Sequence, residues 1–308
     1  MKEIKKTSIG GQALIEGILM RGPAKTAIVV RKSDGEYAIK EENNGSNTHS
    51  RFAKLPFIRG PVNFWDSLKY GMSALTYSAD FFEVPGEEKE SKLDKWIEKK
   101  VGMEKFEKIA MGFALILGVA IPIALFILLP TLLAGFWTES MPSVLRNLAE
   151  GAIRIIIFLL FIWATSKEKD VHRTYMYHGA EHKSIACYES GMELTVENVR
   201  KCSRFHPRCG TSFLFVVMII SILVFSVVSW SNPFIRMALR LLLLPVVVAI
   251  SYEINRFVGR HDNFLTKALR APGLGLQRFT TCEPDDSMIE VAIEALTRVI
   301  PENDEDKW

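Results

Sequence analysis

The chain has 308 residues, 48% of them hydrophobic and 24% charged, with a formal net charge of +3 and a mean hydropathy of +0.14. A soluble protein of that length would form one or two domains, but here the hydrophobic residues cluster between 109 and 252 and charge gathers toward both ends. The balance is only slightly basic and no basic run interleaves with aromatics, so no nucleic acid is expected as a partner.

The first residues, Met-Lys-Glu-Ile-Lys-Lys, carry charge without an apolar stretch, so no signal peptide is expected. Residues 9–23 hold Gly10, Gly11, Gly17 and Gly22, which suit tight turns or close backbone approach. The segment lacks the Gly-Lys-Ser/Thr ending of a phosphate loop. Residues 26–31 and 36–40 flank Ser33-Asp34-Gly35, which predicts a hairpin with a type I′ turn. Residues 42–50 read as a polar loop. Pro61 opens a helical stretch in which Phe64, Leu68, Met72 and Leu75 recur at helical spacing. That stripe suits either a membrane surface or the domain's own core. Residues 83–92 read as a charged linker and 92–108 as a charged helix.

Residues 109–137 carry no charged side chain and exceed the ~30 Å hydrocarbon core at helical rise. Pro122 and Pro130 should kink that span or end it early. Residues 147–166 form a weaker span, with Glu150 and Arg154 in its first two turns. After a helix over 174–188, stopped by Ser190-Gly191, residues 211–235 form a second uncharged run with Trp230 as an interfacial anchor. A fourth span covers 233–252, with Arg236 and Arg240 near its start, where arginine can snorkel. A buried helix of a soluble core is the alternative for the two weaker spans. Residues 265–277 are amphipathic and interrupted by Pro272, Gly273 and Gly275, which suits a re-entrant or interfacial element. Residues 281–284 start a last helix, with Pro284 near its first turn and Ile289, Ala292, Ile293 and Leu296 as a packing stripe. The acidic tail 302–306 reads as solvated.

The expected fold is therefore mainly α: a polytopic membrane protein with about four transmembrane helices, a small N-terminal β element and cytoplasmic amphipathic helices. The expected divisions are an N-terminal cytoplasmic region 1–106, a membrane domain 107–252 and C-terminal cytoplasmic or interfacial helices 253–308. Residues 167–208 hold eight Lys and Arg, whereas the connections 138–146 and 231–236 hold one Arg each. The positive-inside bias places the 167–208 loop and both termini in the cytoplasm, in a multi-pass protein of the cell membrane. Cys187, Cys202, Cys209 and Cys282 then face a reducing compartment, as free thiols or metal ligands.

That loop carries the chemistry. In His178-Gly-Ala-Glu181-His182 a helix sets two imidazoles one turn apart with a carboxylate beside them. His-x-x-Glu-His is the inverted zinc-peptidase motif. Cys187 falls on the opposite side of that helix, and Glu189 lies two turns on, ~10 Å from His182. A turn, Cys202-Ser-Arg-Phe-His206-Pro-Arg-Cys209-Gly210, follows. His178 and His182 with His206 and Cys209 would close a tetrahedral zinc-type shell. Two His and only one of the others would leave a position for water, with Glu181 as catalytic base. Glu253 is a further candidate ligand, by analogy with the downstream glutamate of peptidases bearing the inverted motif. A solvated His pair with no metal is the plain alternative. Arg200, Lys201, Arg204 and Arg208 read as the ordinary positive-inside excess.

Four stretches, 10–23, 177–183, 206–213 and 276–285, resemble the bacterial YqhQ-like family, a domain of unknown function often labelled a metal-dependent enzyme. The likeness runs over nearly the whole chain. It implies an integral membrane protein with a metal centre and brings no substrate or reaction; Cys202 is not assumed to belong to its metal motif. The expected cofactor is a divalent metal of the zinc type, and the expected partners are the lipid bilayer and a membrane protein. The expected activity is metal-dependent hydrolysis of an amphiphile or peptide. A metal-stapled scaffold that docks a membrane complex is the rival, and a transporter is the weaker third, since no paired broken helices recur.

Overall fold

The computed structural model describes residues 6–44, 50–81, 103–136, 141–226, 233–303 and 306. The charged linker 83–92, most of the charged helix before 108, and Trp230 lie outside the described residues. In chain order the strands are β1 Gly10–Leu14, β2 Gly17–Arg21, β3 Lys25–Arg31 and β4 Tyr37–Asn43. The helices are α1 Arg59–Ala79, α2 Met103–Ile123, α3 Leu129–Gly135, α4 Ser143–Thr165, α5 Lys169–Glu189, α6 Val196–Lys201, α7 Gly210–Ser226, α8 Pro233–Arg260, α9 Phe264–Thr280 and α10 Asp286–Thr297. The chain is thus mainly helical with one small antiparallel sheet. It groups into two compact units, one of Met1–Phe82, Phe161–Val224 and Leu242–Trp308, the other of Glu83–Leu160 and Phe225–Leu241.

In the first unit the sheet is a meander of order β1-β2-β3-β4. Its central strands are buried on both faces, which is why they read as continuous apolar runs. Ile18, Met20, Ala27 and Val29 point one way, against α5 and α10; Leu19, Ile28 and Val30 alternate to the other face, against Ala74 and Leu75 of α1. The stripe on α10 packs as expected. The segment 9–23 forms β1 and β2, with Leu14 paired to Gly17 across a two-residue turn, and the expected close backbone approach is seen at Gly11, Gly17 and Gly22, where a Cβ would fall inside 3.0 Å of a carbonyl oxygen. Glycine disfavours strands intrinsically, so tertiary pairing overrides local preference here. The β3–β4 turn also differs from expectation. Type I′ needs positive φ at both central residues, but within 32–36 only Gly35 has it (φ +87), and Lys32 N–H bonds Glu36 O at 2.9 Å around a longer loop.

The apolar stripe of α1 divides between the two surfaces expected for it. Its buried residues are Gly60, Gly71, Ala74 and Ser78; small side chains let it approach α8 at Gly60 and the sheet at Gly71 and Ala74. Of the apolar stripe, Leu75 packs on the sheet and Phe64 on Phe213, while Leu68 and Met72 face outward beside Trp65. Helix α9 runs unbroken through Pro272, with Asn263 and Thr266 forming a capping box at its start. Pro284 lies next to the first turn of α10, one residue before its N-cap Asp285. Asp306, expected to be solvated, is buried and accepts from Thr7 Oγ1 and Tyr188 Oη at 2.9 Å each.

Among the described residues, three helical stretches are long and apolar enough to cross a membrane: Gly112–Gly135, Val144–Thr165 and Met237–Arg260. Against the four spans expected, Gly210–Ser226 is a shorter apolar helix of 17 residues. In the second unit a π turn, Ala124–Leu128, joins α2 to α3 between Pro122 and Pro130, so the prolines deform the helical run without ending it. Pro130 brings no N–H to the Phe126 carbonyl four residues back, and Arg154 Nε donates to that carbonyl at 2.8 Å. Arg240 does not snorkel. It is buried and paired bidentately with Glu150, which also accepts from Thr131 Oγ1 at 2.8 Å and Arg154 Nη2 at 3.3 Å.

Candidate metal centre

Helix α5 is longer than the 174–188 stretch expected, starting at an N-cap where Glu168 accepts from the Asp170 and Val171 amides. On its buried face His178 and His182 bring their ring centroids to 4.4 Å. Each ring is oriented by a backbone carbonyl: His178 Nδ1 lies 2.7 Å from Thr280 O, and His182 Nδ1 lies 2.6 Å from Arg204 O. A carbonyl can only accept, so each Nδ1 carries a proton, and in the neutral ring the Nε2 lone pair is left for a ligand. His178 Nε2 is 3.2 Å from Cys209 Sγ. One ligand atom from each of His178, His182 and Cys209 lies within 4.8 Å of the others, so the three could hold a metal ion. Burial pulls the His178 ring down, but the Cys209 sulfur outweighs it and lifts the imidazole to about 9. Burial pushes the Cys209 thiol up, yet His178 and His182 hold it well below its ordinary value. The cluster therefore favours a thiolate, the form that ligates metal.

The supporting backbone comes from far along the chain. Gln277 of α9 clamps the turn before α7: its Oε1 accepts from His206 N at 2.9 Å and its Nε2 donates to His206 O at 2.8 Å. Arg204 donates to Thr281 O and sits 3.4 Å from Glu283. The segment after α9 lies directly on α5, where Cys282 N–H bonds Tyr175 O at 2.8 Å. Gly179 makes this approach possible, since a Cβ there would fall well inside 3.0 Å of Cys282 O. Glycine's helix penalty of ~1 kcal/mol is thus the cost of close packing at the centre.

Glu181 Oε1 accepts from Gly11 N–H of β1 at 3.0 Å, while Oε2 is buried with no hydrogen-bond partner among the described residues. Burial pushes this carboxyl above its ordinary range, opposed by the His178 and His182 rings and the Gly11 amide. A buried carboxylate oxygen with no donor is costly, and a cation beside it would relieve that cost. Glu181, both histidines and Cys209 line a cavity of about 130 Å³. Two imidazole nitrogens, one thiolate and an orphaned carboxylate oxygen fit a zinc-type ion.

Of the other expected ligands, His206 lines the same cavity, and the rest stand apart from the three. His206 puts its ring centroid 5.5 Å from that of His182, but its Nε2 lies 3.5 Å from Glu189 Oε2 and 3.4 Å from Arg208 Nη2. Glu189 also accepts from Thr7 N at 2.7 Å and pairs with Arg208. Glu253 is bound to Arg59 and to Phe57 N–H instead of a ligand set. Cys187 packs with Val199 and Ile289, and Cys202 donates to Asn198 O at 3.4 Å. Sequence reasoning missed Gly11, Gln277, Thr280 and Glu189 as parts of this site. Gly11, Gln277 and Thr280 fall within the stretches 10–23 and 276–285, where the family resemblance was the available signal.

A profile described as "Protein of unknown function (DUF1385)" matches residues 55–302. The chain is 32% identical over 305 residues to the "Uncharacterized protein YqhQ" of Bacillus subtilis (strain 168), covering 94% of this chain and 92% of that protein. No solved structure matches.

Proposed function

The chain belongs to the DUF1385 family of unknown function, and from that premise we propose that it is an integral membrane protein with a zinc-dependent hydrolytic centre at the cytoplasmic membrane surface. The single observation that carries the reading is the pair of Nδ1–carbonyl bonds, which turns two Nε2 lone pairs toward Cys209 Sγ with Glu181 Oε2 unpartnered beside them. His178, His182 and Cys209 hold the ion, and His206 is engaged by Glu189. Three protein ligands leave a coordination position for water or substrate, as catalytic sites do. A bound zinc-type ion supplies Lewis-acid polarisation and acidifies water. Glu181 takes the proton, its free oxygen kept in place by the Gly11 amide on the other. The membrane reading is supported by three long apolar helices and by the basic 167–208 loop, which also argues for a multi-pass topology with cytoplasmic termini. The substrate is an amphiphile or membrane peptide reaching the centre from the bilayer.

The burial of Glu181, His182 and Cys209 favours a second reading. In it the ion is a structural staple, and the surrounding unit docks a membrane partner. Metal analysis of detergent-purified protein tests both. The wild type is expected to hold zinc at about one per chain and His182→Ala none; a wild type without metal overturns both readings. X-ray absorption then separates them. A light-atom solvent ligand beside the two His and one Cys supports hydrolysis, and a fourth protein ligand supports the staple. Glu181→Gln should keep the metal in either case.

A further inference from the structure

A larger cavity, about 340 Å³, adjoins the metal centre, with Ser8, Gly10 and Gly11 in the walls of both. Its size suits a small-molecule head group. Arg21 at the end of β2 lines it, together with Gln12, Ser67 and Tyr70, and no acidic residue does. The Arg21 guanidinium stacks over the Tyr70 ring at 4.6 Å. Neighbouring arginines of the same unit are spent on carboxylates: Arg31 and Arg173 on Glu16, Arg59 on Glu253 and Arg208 on Glu189. Arg21 has no such partner among the described residues, so a half-buried fork of donors faces a cavity with hydroxyls and an amide around it. A planar guanidinium held by an aromatic ring takes phosphate or carboxylate bidentately.

The apolar part of the ligand is indicated by α1. The helix that turns Ser67 and Tyr70 into the cavity exposes Trp65 (70%), Leu68 (50%) and Met72 (52%) on its outer side. Its first turns are fixed to the end of the apolar stretch Met237–Arg260: Gly60 lies against Ala249 and Tyr252, Asn63 donates to Tyr252 Oη at 2.7 Å, and Arg59 pairs with Glu253. Trp65, Leu68 and Met72 lie on the side of α1 opposite Ser67, Tyr70 and the contacts to that stretch, so the cavity and the apolar face are one helix width apart, which the head and chain of one amphiphile at a membrane surface can span.

We propose that this cavity binds the oxyanion head, phosphate or carboxylate, of a membrane amphiphile, with Arg21 as the anion-binding residue and α1 beneath the chain. That this amphiphile is the substrate of the metal centre rests on the hydrolytic reading above; that the cavity binds it does not. The test is calorimetry on the full chain in neutral detergent, with dihexanoyl phosphatidic acid, dihexanoyl phosphatidylcholine and inorganic phosphate as probes. The wild type should bind the phosphatidic acid at least about ten-fold more tightly than either other probe, and Arg21→Gln should lose about ten-fold or more of that affinity at unchanged zinc content. Equal binding of inorganic phosphate overturns the amphiphile, equal binding of phosphatidylcholine, whose phosphodiester is capped and balanced by choline, overturns a terminal net-anionic head as the recognised group, and an unaffected Arg21→Gln overturns the site. Should Arg21→Gln fail to fold, Ser67→Trp, which fills the cavity from α1, must abolish binding instead. Repeating the titration on His182→Ala separates the two ideas: binding retained without zinc keeps this site even where the hydrolytic reading fails, and a wild type that binds no phosphatidic acid removes the site whatever its zinc content.

Discussion

Replacing Gly179 by alanine sets two effects of opposite sign against each other. In a helix interior alanine is better than glycine by ~1 kcal/mol, so helix propensity alone predicts a more stable protein. The structure predicts the reverse. The new Cβ would lie well inside 3.0 Å of Cys282 O, where ordinary contacts begin at 3.4 Å. The obstacle is backbone, tied to the same helix on both sides by Cys282 N–H to Tyr175 O at 2.8 Å and by His178 Nδ1 to Thr280 O at 2.7 Å. Opening the contact by roughly 1 Å takes both bonds past ~3.5 Å. Overpacking costs ~1–3 kcal/mol and the two bonds ~0.5–1.5 kcal/mol each. After the alanine gain, a net loss of ~3 kcal/mol is central, or about 6–12 °C in melting temperature. Losing the carbonyl that orients His178 should also weaken metal binding ~10–100-fold. Scanning fluorimetry of the detergent-purified protein reads the first effect, and zinc competition against a chromophoric chelator reads the second. Gly275→Ala is the control, since a Cβ at Gly275 in α9 meets nothing within 4 Å; it should be neutral or mildly stabilising. A Gly179→Ala protein that melts at or above wild type with unchanged zinc affinity would refute the packing of 280–284 on α5.

Glu16 predicts a pH dependence. Burial pushes its carboxyl up, but Arg173, Arg31 and the Tyr177 hydroxyl outweigh it and hold the group below its ordinary 4.5; the resulting stability is full above 4.5 and is lost as pH falls through the lowered value. In chelator, the melting temperature of wild type should therefore exceed that of Glu16→Gln at neutral pH and converge on it in acid, and a gap that stays constant down to pH ~3 would contradict the ion pairs. In the other unit, Glu150→Ala leaves the buried Arg240 without its partner and should cost ~3–5 kcal/mol, whereas Glu150→Leu combined with Arg240→Met should recover more than half of that. Accumulation and thermal stability of the two variants in detergent check this, and a single variant as stable as wild type would argue against the pair.

Much of the fold was legible because its signals are local. Uniform apolar runs marked the long helices, and the spacing of His178, Glu181 and His182 placed them on one helical face. What escaped reading depends on partners remote in sequence. Arg240 looked like a snorkelling residue because Glu150, which neutralises it, stands on a different helix. Gly10 and Gly11 read as suited to turns or close backbone approach, but nothing in 9–23 announces that β1 pairs with β2 and lends an amide to Glu181. His206 and Cys209 were indistinguishable as ligands, since both lie on one turn. Gln277 holds the His206 backbone and Glu189 faces its ring, whereas Cys209 Sγ lies 3.2 Å from His178 Nε2. Carbonyls such as Thr280 O and Arg204 O have no side-chain signature at all.

Those carbonyls bear directly on what Glu181 does. A carboxylate beside two histidines can act as a base, or it can orient an imidazole through its N–H. The second role needs an unclaimed Nδ1–H, and here both are taken by backbone, at 2.7 Å and 2.6 Å. Glu181 instead spends one oxygen on the Gly11 amide and keeps the other unpartnered against the cavity. Maintaining a buried, unsatisfied carboxylate oxygen is unfavourable for the fold by itself. The arrangement makes physical sense when that oxygen meets a cation or a proton donor delivered with it, which leaves Glu181 as a base or as a fourth protein ligand and not as an imidazole orienter.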